Sequence, residues 1–548
     1  MRITAKAFVH GAASGEILFS DVAVSFWGGV GQDTGEVIDH HHPLFGKNIK
    51  DRILVLPSTR GSCSGSLVVI ELLEIATTGV IVARTLLALS IPVIRVLPVQ
   101  FNALRSQKYL SVCGTEFIVD DVLPVYESVP SLVPNIDHHV YLTEGDKAIL
   151  NGEKGTAASK AIEILLQYAY LQNAHQLTPV SRAHIDACIY TGPASTMIAQ
   201  TFLAEGGRVA VPTTLNAISI DQRRWRELGV DEDFAREANR LANAYVAMGA
   251  KSSFTCAPYL LDSPPQFGES IGWAESNAVV FANSVLGART QKYPDLIDVC
   301  IALSGRAPLA RAQTAEGRIP TVCVNIDVKD CQTLEDAFYP LLGYAIGKVV
   351  GGGIPLITDL ETKPTISDLK AFGASFATTA AAPMFHIAGV TPEAAQFQAA
   401  ELPCIKLTND NLRAALNELT TAKDNSVGLV SLGNPHFSLE EFASLAKVCA
   451  TRHKAQSVQV IITTSRETYA QASAAGYVSI IEAFGGEILT DTCWCMISVS
   501  VIRVDVINLM TNSAKYAHYA PGIVHRGVHF GSLRGCVTAA ETGHVQPP

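Results

Sequence analysis

A loop rich in serine and glycine, residues 58–66, contains the residue types most clearly suited to chemistry. It follows the apolar run 53–56, and the apolar spacing from Leu67 onward predicts that a helix begins directly after it. The free N–H groups and positive dipole end of a helix N-terminus stabilise a carboxylate, a phosphate or a serine alkoxide. Ser64 or Ser66 could instead cap the helix by accepting its first N–H groups. The spacing alone leaves both roles open.

Two cysteines near the carboxyl end, Cys493 and Cys495, have a spacing that suits metal binding. Side chains two residues apart point to the same face of an extended strand, so both thiols could reach one metal centre. Thiolates are preferred ligands of zinc and of iron–sulfur clusters. A structural zinc site normally adds a second cysteine pair, and none stands beside this one. The pair is either a partial ligand set or, as is more common for such a pair, part of the packing.

Three further segments have unusual polar residues. Region 254–290 predicts a helix that carries Glu275, Ser276, Asn277, Asn283 and Ser284. Buried polar side chains must be paired, so this helix forms a structural network or lines a site, and we favour the site. Segment 511–522 combines an amide, hydroxyls, an ammonium and an imidazole, which suits carboxylate binding and proton transfer or a polar surface loop. Segment 39–43 contains three consecutive histidines that could suggest a metal site. Adjacent histidines point in different directions and no fourth ligand is nearby, so the segment predicts a solvated turn instead.

Composition describes a globular chain with a large core and excludes several classes of protein. The 548 residues are 48% hydrophobic and 17% charged, and ordinary domain sizes predict about three or four units. A net charge of −10 and a pI near 5.8 argue against nucleic-acid binding. The richest apolar stretch, 67–99, is interrupted by charges and does not predict a membrane span. Without a secretory pattern at the amino terminus, we expect a soluble cytoplasmic protein whose twelve cysteines are reduced thiols or metal ligands.

Hydrophobic periodicity divides the chain into two parts. Residues 1–134 predict a small β-rich α/β domain, with strands expected at 16–19, 21–26, 53–56, 79–83 and 92–96. Prolines at 124, 130 and 134 predict a linker. Residues 135–548 predict a larger α/β domain with internal subdomains. In it, helices such as 157–169 alternate with strands expected at 209–211, 322–326, 427–431 and 458–463.

Long motifs in both parts resemble one known family. In the first part they are 15–16, 25–30, 42–44 and the loop 60–66. In the second part they are 211–216, 256–289, 433–438, 491–493 and 512–515. In this order they resemble aconitase X, the first part being similar to its small swivelling domain and the second to its large aconitase-like catalytic domain. The resemblance covers nearly the whole chain.

The resemblance implies a hydro-lyase in which an iron–sulfur cluster acts as a Lewis acid. Chains with the small domain fused in front resemble cis-3-hydroxy-L-proline dehydratases, which form Δ1-pyrroline-2-carboxylate. Asn434 stands where the phosphomevalonate type has a cysteine, and Cys495 offers a replacement thiol. The implied cluster ligands are therefore Cys256, Cys493 and Cys495. Three thiolates leave an iron position open for substrate or water, and we expect a [2Fe-2S] cluster, with [4Fe-4S] as the alternative.

The resemblance also implies roles for residues outside the cluster. Ser62 matches the serine base of the aconitase superfamily, and its alkoxide would be stabilised by the helix N-terminus and neighbouring N–H groups. The expected substrate contacts are Arg60, Gly61, Asn512, Ser513 and Lys515. The expected partner is a small hydroxy acid, with no nucleic acid, no membrane and no obligate second subunit.

Two other functions remain open. A related dehydratase could act on phosphomevalonate or on another hydroxy acid of secondary metabolism, although Asn434 departs from the phosphomevalonate pattern. A non-catalytic iron–sulfur sensor or scaffold, in which the serine loop is only a helix cap, is disfavoured by the presence of the serine base together with a complete cysteine set.

Overall fold

The computed structural model describes most of the chain. The described residues are 2–4, 6–9, 12–32, 34–50, 52–57, 60, 93–95, 102–113, 116–120, 140–329, 331–497 and 499–546. Gly61 and Ser62 lie outside them, as do the helix expected after residue 67, the strand expected at 79–83 and the expected linker.

The amino-terminal part is built on a mixed sheet. Its described strands are β1 (Arg2–Thr4), β2 (Lys6–Val9), β3 (Ala12–Phe19), β4 (Arg52–Val55), β5 (Val93–Arg95), β6 (Tyr109–Cys113) and β7 (Glu116–Asp120). Five of them form a sheet in the order β1-β7-β6-β3-β4, and β2 pairs with β5. β4 runs parallel to β3, and its residues Ile53, Leu54 and Val55 are buried. The apolar run before the serine loop is thus a strand that leads the chain towards Arg60.

Most of the testable strand predictions for this part are confirmed. The strands expected at 53–56 and 92–96 lie within one residue of β4 and β5, and 16–19 lies inside β3. The strand expected at 21–26 is wrong. There the Val22 N–H donates to Ser20 Oγ at 3.0 Å, and Ser25 Oγ donates to Trp27 O at 2.7 Å. Such local side-chain bonds compete with a strand ladder.

The next block surrounds a small parallel sheet. Its helices are α1 (Glu144–Leu150), α2 (Thr156–Gln172), α3 (Pro193–Ala204), α4 (Glu232–Ala247), α5 (Ser276–Phe281) and α6 (Ile297–Ser304). Its strands are β8 (Leu177–Pro179), β9 (Ala183–Ile185), β10 (Thr213–Leu215), β11 (Gly272–Trp273) and β12 (Arg306–Pro308). The parallel sheet has the order β10-β9-β11, and β12 pairs with β8. Helices and sheet bury one apolar core that includes Ile185, Leu241 and Ile301.

In this block one prediction is confirmed and one is wrong. The helix expected at 157–169 lies inside α2. The strand expected at 209–211 begins later, with β10. The reason is that the backbone N–H groups of Val209 and Ala210 donate to Met248 O and Ala302 O, at 2.9 and 2.7 Å, outside any strand ladder.

Two larger parallel sheets complete the chain. The first has strands β13 (Val322–Asp327), β14 (Pro355–Thr358), β15 (His386–Ile387) and β16 (Cys404–Thr408), in the order β15-β14-β13-β16. Its helices are α7 (Phe338–Val350), α8 (Ile366–Thr379) and α9 (Asn409–Leu419). The second has strands β17 (Leu429–Leu432), β18 (Gln459–Thr464), β19 (Glu487–Thr490), β20 (Asn508–Thr511) and β21 (Gly527–Phe530), in the order β19-β18-β17-β20-β21. Its helices are α10 (Leu439–Cys449), α11 (Arg466–Ala474), α12 (Tyr477–Phe484), α13 (Ala514–Val524) and α14 (Leu533–Thr542).

These sheets confirm the predicted α/β class. The strands expected at 322–326, 427–431 and 458–463 overlap β13, β17 and β18. They were recognisable because central strands of a covered parallel sheet are buried on both faces and read as continuous apolar runs. The domain boundary expected at residue 134 falls outside the described residues and stays a prediction. Within the described ranges, no helix is both long enough and apolar enough to cross a membrane.

A buried arginine ties these blocks together. Arg318 is 2% exposed, and its Nε donates to the two Glu393 carboxylate oxygens at 3.0 and 2.9 Å. Its Nη2 donates to Asn283 O at 2.9 Å. The Asn283 side chain accepts from Thr290 N at 2.9 Å and donates to Thr290 O at 3.1 Å. Asn283 is therefore part of a structural network, contrary to the expectation that the polar helix as a whole lines a site.

Arg318→Met is expected to lower the free energy of unfolding by about 3–5 kcal/mol, because it leaves the Glu393 carboxylate buried without its cation. Urea unfolding followed by circular dichroism measures the loss. Adding Glu393→Gln should recover most of it, since no unpaired charge then remains. A single variant within about 0.5 kcal/mol of wild type would contradict this account.

Candidate active site

Three motifs meet at one edge of the five-stranded parallel sheet. Residues 433–436 follow β17, residues 491–495 follow β19 and residues 512–515 follow β20. Parallel strands end at the same edge of a sheet, so segments far apart in sequence come together there. Glycine is required in the first motif, because Gly433 has a φ of +92° and a Cβ there would lie 2.2 Å from Thr463 O.

The three expected thiol ligands lie together at this edge. Cys256 and Cys493 are 2% exposed and Cys495 is 4% exposed, in a cluster that also contains Ala217 and Tyr519. The Cys493 thiol lies within hydrogen-bond reach of the other two sulfurs. The structure thus brings the predicted set together, although Cys256 comes from a different block of the fold.

The geometry expected for the cysteine pair is wrong. β19 ends at Thr490, and residues 493–496 form a turn closed by a 2.8 Å bond from Met496 N to Cys493 O. Asp491, with a φ of +68°, precedes the turn, and its carboxylate accepts two 2.6 Å hydrogen bonds from Arg466. The turn, and not an extended strand, brings the two sulfurs together.

Nitrogen donors point at two of the sulfurs. Asn434 Nδ2 donates to Cys495 Sγ at 3.0 Å, and the backbone N–H of His436 donates to Cys256 Sγ at 3.3 Å. A hydrogen bond from the Cys493 thiol lowers the pKa of Cys495 to about 7, although burial acts in the opposite direction. These contacts favour negative charge on the Cys495 sulfur, as a metal-binding thiolate requires, whereas the two neighbouring thiols and burial raise the pKa of Cys493 well above its ordinary value.

A buried ion pair lies beside the thiols. Lys515 Nζ donates to Glu275 Oε1 at 2.8 Å, with the two side chains 9% and 5% exposed. Asn277 Nδ2 donates to Glu275 and, at 3.0 Å, to Cys256 O. Burial alone would lower the pKa of Lys515, but Glu275 and the three thiols raise it well above its ordinary value. Burial likewise opposes the ionised form of Glu275, yet Lys515 holds the pKa of that carboxyl below its ordinary value. The site thus contains a fixed cation.

The two other expected contacts in this segment have structural partners. Ser513 Oγ donates to Asn434 O at 2.5 Å and, as the N-cap of α13, accepts from Tyr516 N at 3.1 Å. Asn512 Nδ2 donates to Asp336 at 3.5 Å. The two residues form the short connection between β20 and α13, but residues 514–522 are a buried helix, so the alternative of a polar surface loop over 511–522 is wrong. Their contact with substrate stays a prediction.

Arg60 is the described residue nearest to Ser62 in the chain. Its Nη2 donates to Asp39 Oδ2 at 2.9 Å, and its backbone N–H donates to Val24 O at 3.0 Å. The side chain is 12% exposed, and among the described atoms its Nε has no hydrogen-bond partner. Within the described ranges, the guanidinium is therefore held by the Asp39 carboxylate, and its Nε–H is uncommitted.

The prediction of a solvated turn at 39–43 is only partly confirmed. The segment does turn, but Asp39 is 6% exposed and His42 is 4% exposed. His42 Nδ1 accepts from Leu44 N, and its Nε2 lies 3.1 Å from Val22 O. The sequence motif at 433–438 likewise does not reveal that Asn434 donates a hydrogen bond to the Cys495 sulfur. Contacts between distant segments, which no local spacing encodes, explain both omissions.

A histidine next to this site predicts a dependence of stability on pH. His184 is fully buried in β9, its Nδ1 lies 2.8 Å from Thr214 Oγ1, and burial lowers its pKa to about 3. The neutral ring therefore stabilises the fold above pH 6.5, and that contribution is lost as the pH falls from 6.5 towards 3. The expected loss is about 2 kcal/mol at pH 5.

In the wild type alone, Asp298 would mask this loss, because burial raises its pKa to about 6 and the fold therefore gains stability as Asp298 is protonated over the same pH range. The His184→Asn variant keeps Asp298, so the difference between the two proteins isolates the contribution of His184. Urea unfolding of both proteins at pH 7 and pH 5 should show their difference in stability shrinking by about 2 kcal/mol. A difference that is the same at both pH values would refute the assignment.

Comparison with known proteins identifies the family. Family models match in four stretches: the aconitase X swivel domain over residues 2–120, the first domain over 139–316, the second over 320–417 and the third over 427–542. The chain belongs to the aconitase X family. The resemblance of its motifs is thereby confirmed.

This aconitase X chain is similar along almost its whole length to two proteins named cis-3-hydroxy-L-proline dehydratase. It is 46% identical to the one from Hypocrea jecorina, over 98% of this chain and 95% of that protein. It is 47% identical to the one from Pseudomonas aeruginosa, over 99% and 97%. A phosphomevalonate dehydratase large subunit from Methanothermobacter thermautotrophicus is 34% identical over 70% of this chain and 94% of that subunit.

A solved structure supports the fold of the larger part of this aconitase X. The crystal structure of Thermococcus kodakaraensis aconitase X in its holo-form aligns with a TM-score of 0.66 and 30% identity, covering 73% of this chain and 100% of that one. Together with the swivel-domain match, it confirms the predicted fold class.

Proposed function

We propose that this chain is a hydro-lyase that converts cis-3-hydroxy-L-proline to Δ1-pyrroline-2-carboxylate. The observation that carries the proposal is its similarity to two proteins of that name over nearly the full length of each. Two phosphomevalonate dehydratase large subunits are less similar, at 34% and 32% identity, and they match 70% and 72% of this chain. The side chain that differs from the phosphomevalonate pattern, Asn434, donates a hydrogen bond to Cys495.

The cofactor of the proposed enzyme is an iron–sulfur cluster held by Cys256, Cys493 and Cys495. Among the described residues, no group of three or more His, Cys, Asp or Glu side chains is arranged to hold a single metal ion. The donor set suits a cluster instead, since three buried thiols receive N–H hydrogen bonds at two sulfurs and lie beside a lysine. When bound, the cluster supplies a Lewis acid for the departing oxygen. We favour [2Fe-2S], with [4Fe-4S] as the alternative.

The proposed chemistry uses residues from both parts of the chain. Ser62 takes the proton from the carbon that bears the substrate carboxylate, and the freed electron pair forms a C=C bond. The neighbouring C–O bond breaks, and the hydroxyl leaves, with a proton, as water. The resulting enamine tautomerises to the product imine. Lys515 and Arg60 place positive charge where the carboxylate and the departing oxygen gain negative charge.

A substrate panel tests the function. Anaerobically purified protein is incubated separately with cis-3-hydroxy-L-proline, its trans isomer, both 4-hydroxyprolines and phosphomevalonate, and loss of one water is read by mass spectrometry. We expect turnover of cis-3-hydroxy-L-proline at least about tenfold faster than of any other compound. Turnover of phosphomevalonate alone would overturn the assignment. Iron and sulfide counts on the same preparation decide the nuclearity, at about two of each per chain for [2Fe-2S].

The remaining expectations follow from this proposal. The enzyme needs no second subunit, because one chain spans nearly the whole length of both named dehydratases. The linker expected near residue 134 is supported by family matches that end at residue 120 and resume at residue 139. A cytoplasmic location fits a small amino-acid substrate and an oxygen-sensitive cofactor.

A further inference from the structure

The amino-terminal domain lies against helix α13, and two glycines make the approach possible. A Cβ on Gly28 would lie 2.8 Å from Tyr519 Cδ1, and a Cβ on Gly522 would lie 2.7 Å from Ile38 O. Both distances are shorter than real Cβ contacts, so Gly28 lies directly against the Tyr519 ring and Gly522 directly against the Ile38 carbonyl, where no larger residue fits. Helix α13 also carries Lys515, and its Tyr519 belongs to the thiol cluster. The domain contact is therefore continuous with the proposed active site.

Buried polar groups cross the same contact. Asp39 Oδ2 accepts the hydrogen bond from Arg60 and lies 3.8 Å from His518 Nε2 of α13. The His41 ring stacks on the His518 ring with centroids 4.8 Å apart. His41 Nδ1 also lies 3.9 Å from Glu418 of α9. Asp39 and His41 of the amino-terminal domain thus meet His518 and Glu418 of the larger part.

The larger part holds the His518 ring in a fixed orientation. Tyr344 of α7 donates its hydroxyl proton to Glu418 Oε1 at 2.7 Å. Because that hydroxyl has only one proton, its oxygen accepts from His518 Nδ1, 2.9 Å away. The ring therefore presents Nε2 towards Asp39. The far side of the contact is pre-organised, and the amino-terminal domain docks onto it.

We propose that Asp39 is a positioning residue for the dehydration, acting through Arg60. The Asp39 carboxylate holds the Arg60 guanidinium at 2.9 Å and lies 3.8 Å from His518 of α13, so it links Arg60 to the larger part when the amino-terminal domain is seated. Arg60 stands two residues before Ser62 in the sequence. Seating thus fixes Arg60, a proposed substrate contact, relative to the larger part of the chain that carries the thiols and Lys515. A displacement of about 1 Å at a reacting group can cost about a hundredfold in rate. The proposal rests on the proposed function of this site.

Gly522→Ala tests the seating without touching a reacting group. Alanine is the better helix former, so α13 itself is not weakened, but the added methyl group meets Ile38 O. We expect kcat to fall by about tenfold or more, while the iron content and visible absorption stay those of wild type. Gly373→Ala in α8 is the matched control, because a Cβ there makes only ordinary contacts of 3.6 and 3.9 Å, and its kcat should match wild type.

Asp39→Asn tests the positioning role, since it keeps the shape and removes the charge that holds Arg60. We expect kcat, assayed well below the thermal midpoint, to fall by about tenfold or more while KM changes by less than about threefold and the visible absorption stays that of wild type. The midpoint itself should fall, because Arg60 loses its counter-ion. Asp39→Glu should restore part of kcat. Equal losses of kcat and absorption would indicate a structural role and overturn the proposal.

Hydrogen–deuterium exchange tests the seating of the amino-terminal domain independently of whether the proposed reaction is correct. In wild type, the amides of 514–524 should exchange slowly, and Gly522→Ala should speed their exchange whether or not any tested compound is a substrate. Faster exchange with unchanged kcat would refute positioning. Unchanged exchange would refute the seating itself. A wild type that turns over no compound in the panel refutes the proposed function while leaving the exchange result valid.

Discussion

Replacing Cys493 with serine is expected to remove both the visible absorption of the anaerobically purified protein and its turnover of cis-3-hydroxy-L-proline. The Cys493 thiol lies within hydrogen-bond reach of both other sulfurs, so it is the shared neighbour of the proposed ligand set. A serine hydroxyl is a hard and weakly acidic donor, whereas iron–sulfur clusters are held by soft thiolates. Absorption spectra, iron and sulfide counts and the turnover assay, all on one preparation, measure the loss of absorption, of cluster and of activity.

Cys188→Ser is the control for this prediction. Cys188 is also fully buried, but its Sγ already donates to Ile185 O and Asn216 O, at 3.5 and 3.3 Å, which a hydroxyl can do equally well. We expect this variant to keep its absorption and turnover. Iron retained at the wild-type count in Cys493→Ser would show that the ligand set is misassigned.

Ser62→Ala is expected to abolish turnover while the visible absorption and iron content stay unchanged. Alanine has no oxygen to accept the substrate proton, whereas the thiols stay in place because they belong to other segments. Ser62 itself lies outside the described residues, and its role rests on the family resemblance and on the position of Arg60. Turnover and absorption of the same sample separate loss of the base from loss of the cluster.

Ser64→Ala is the matched control in the same loop. If Ser64 is a helix cap, its loss should cost about 1 kcal/mol of stability and leave turnover close to wild type. Loss of the visible absorption in Ser62→Ala would instead show that the loop is needed for cluster assembly and that the base is another residue. Equal loss of turnover in both variants would show that the loop as a whole, and not one hydroxyl, is required.

The sequence predicted the regular fold well because burial on both faces of a parallel sheet leaves a clear apolar pattern. β13 and β18 were predicted nearly to the residue for this reason. The failures at 21–26 and 209–211 have a different cause. In both places the backbone groups bond to side chains or to distant carbonyls, and such bonds leave no periodicity to detect.

The candidate site was predictable in its chemistry but not in its geometry. The motifs named the three cysteines that the structure brings together. They did not reveal that a turn aligns Cys493 with Cys495, or that Lys515 pairs with Glu275 from a segment 240 residues earlier. Pairings of that kind depend on how separate sheets pack, and a single sequence without that packing does not contain them.

Cys256 and the Cys493–Cys495 turn come from separate blocks of the fold. This separation constrains when the three thiols can meet during biosynthesis. While the ribosome is still adding residues beyond 256, the first thiol is already present but the other two do not yet exist. A partly made chain therefore offers single thiols and no complete binding set. With the proposed ligand set, metal delivery would therefore follow translation of nearly the entire polypeptide, and the cluster would be inserted into an almost completed chain.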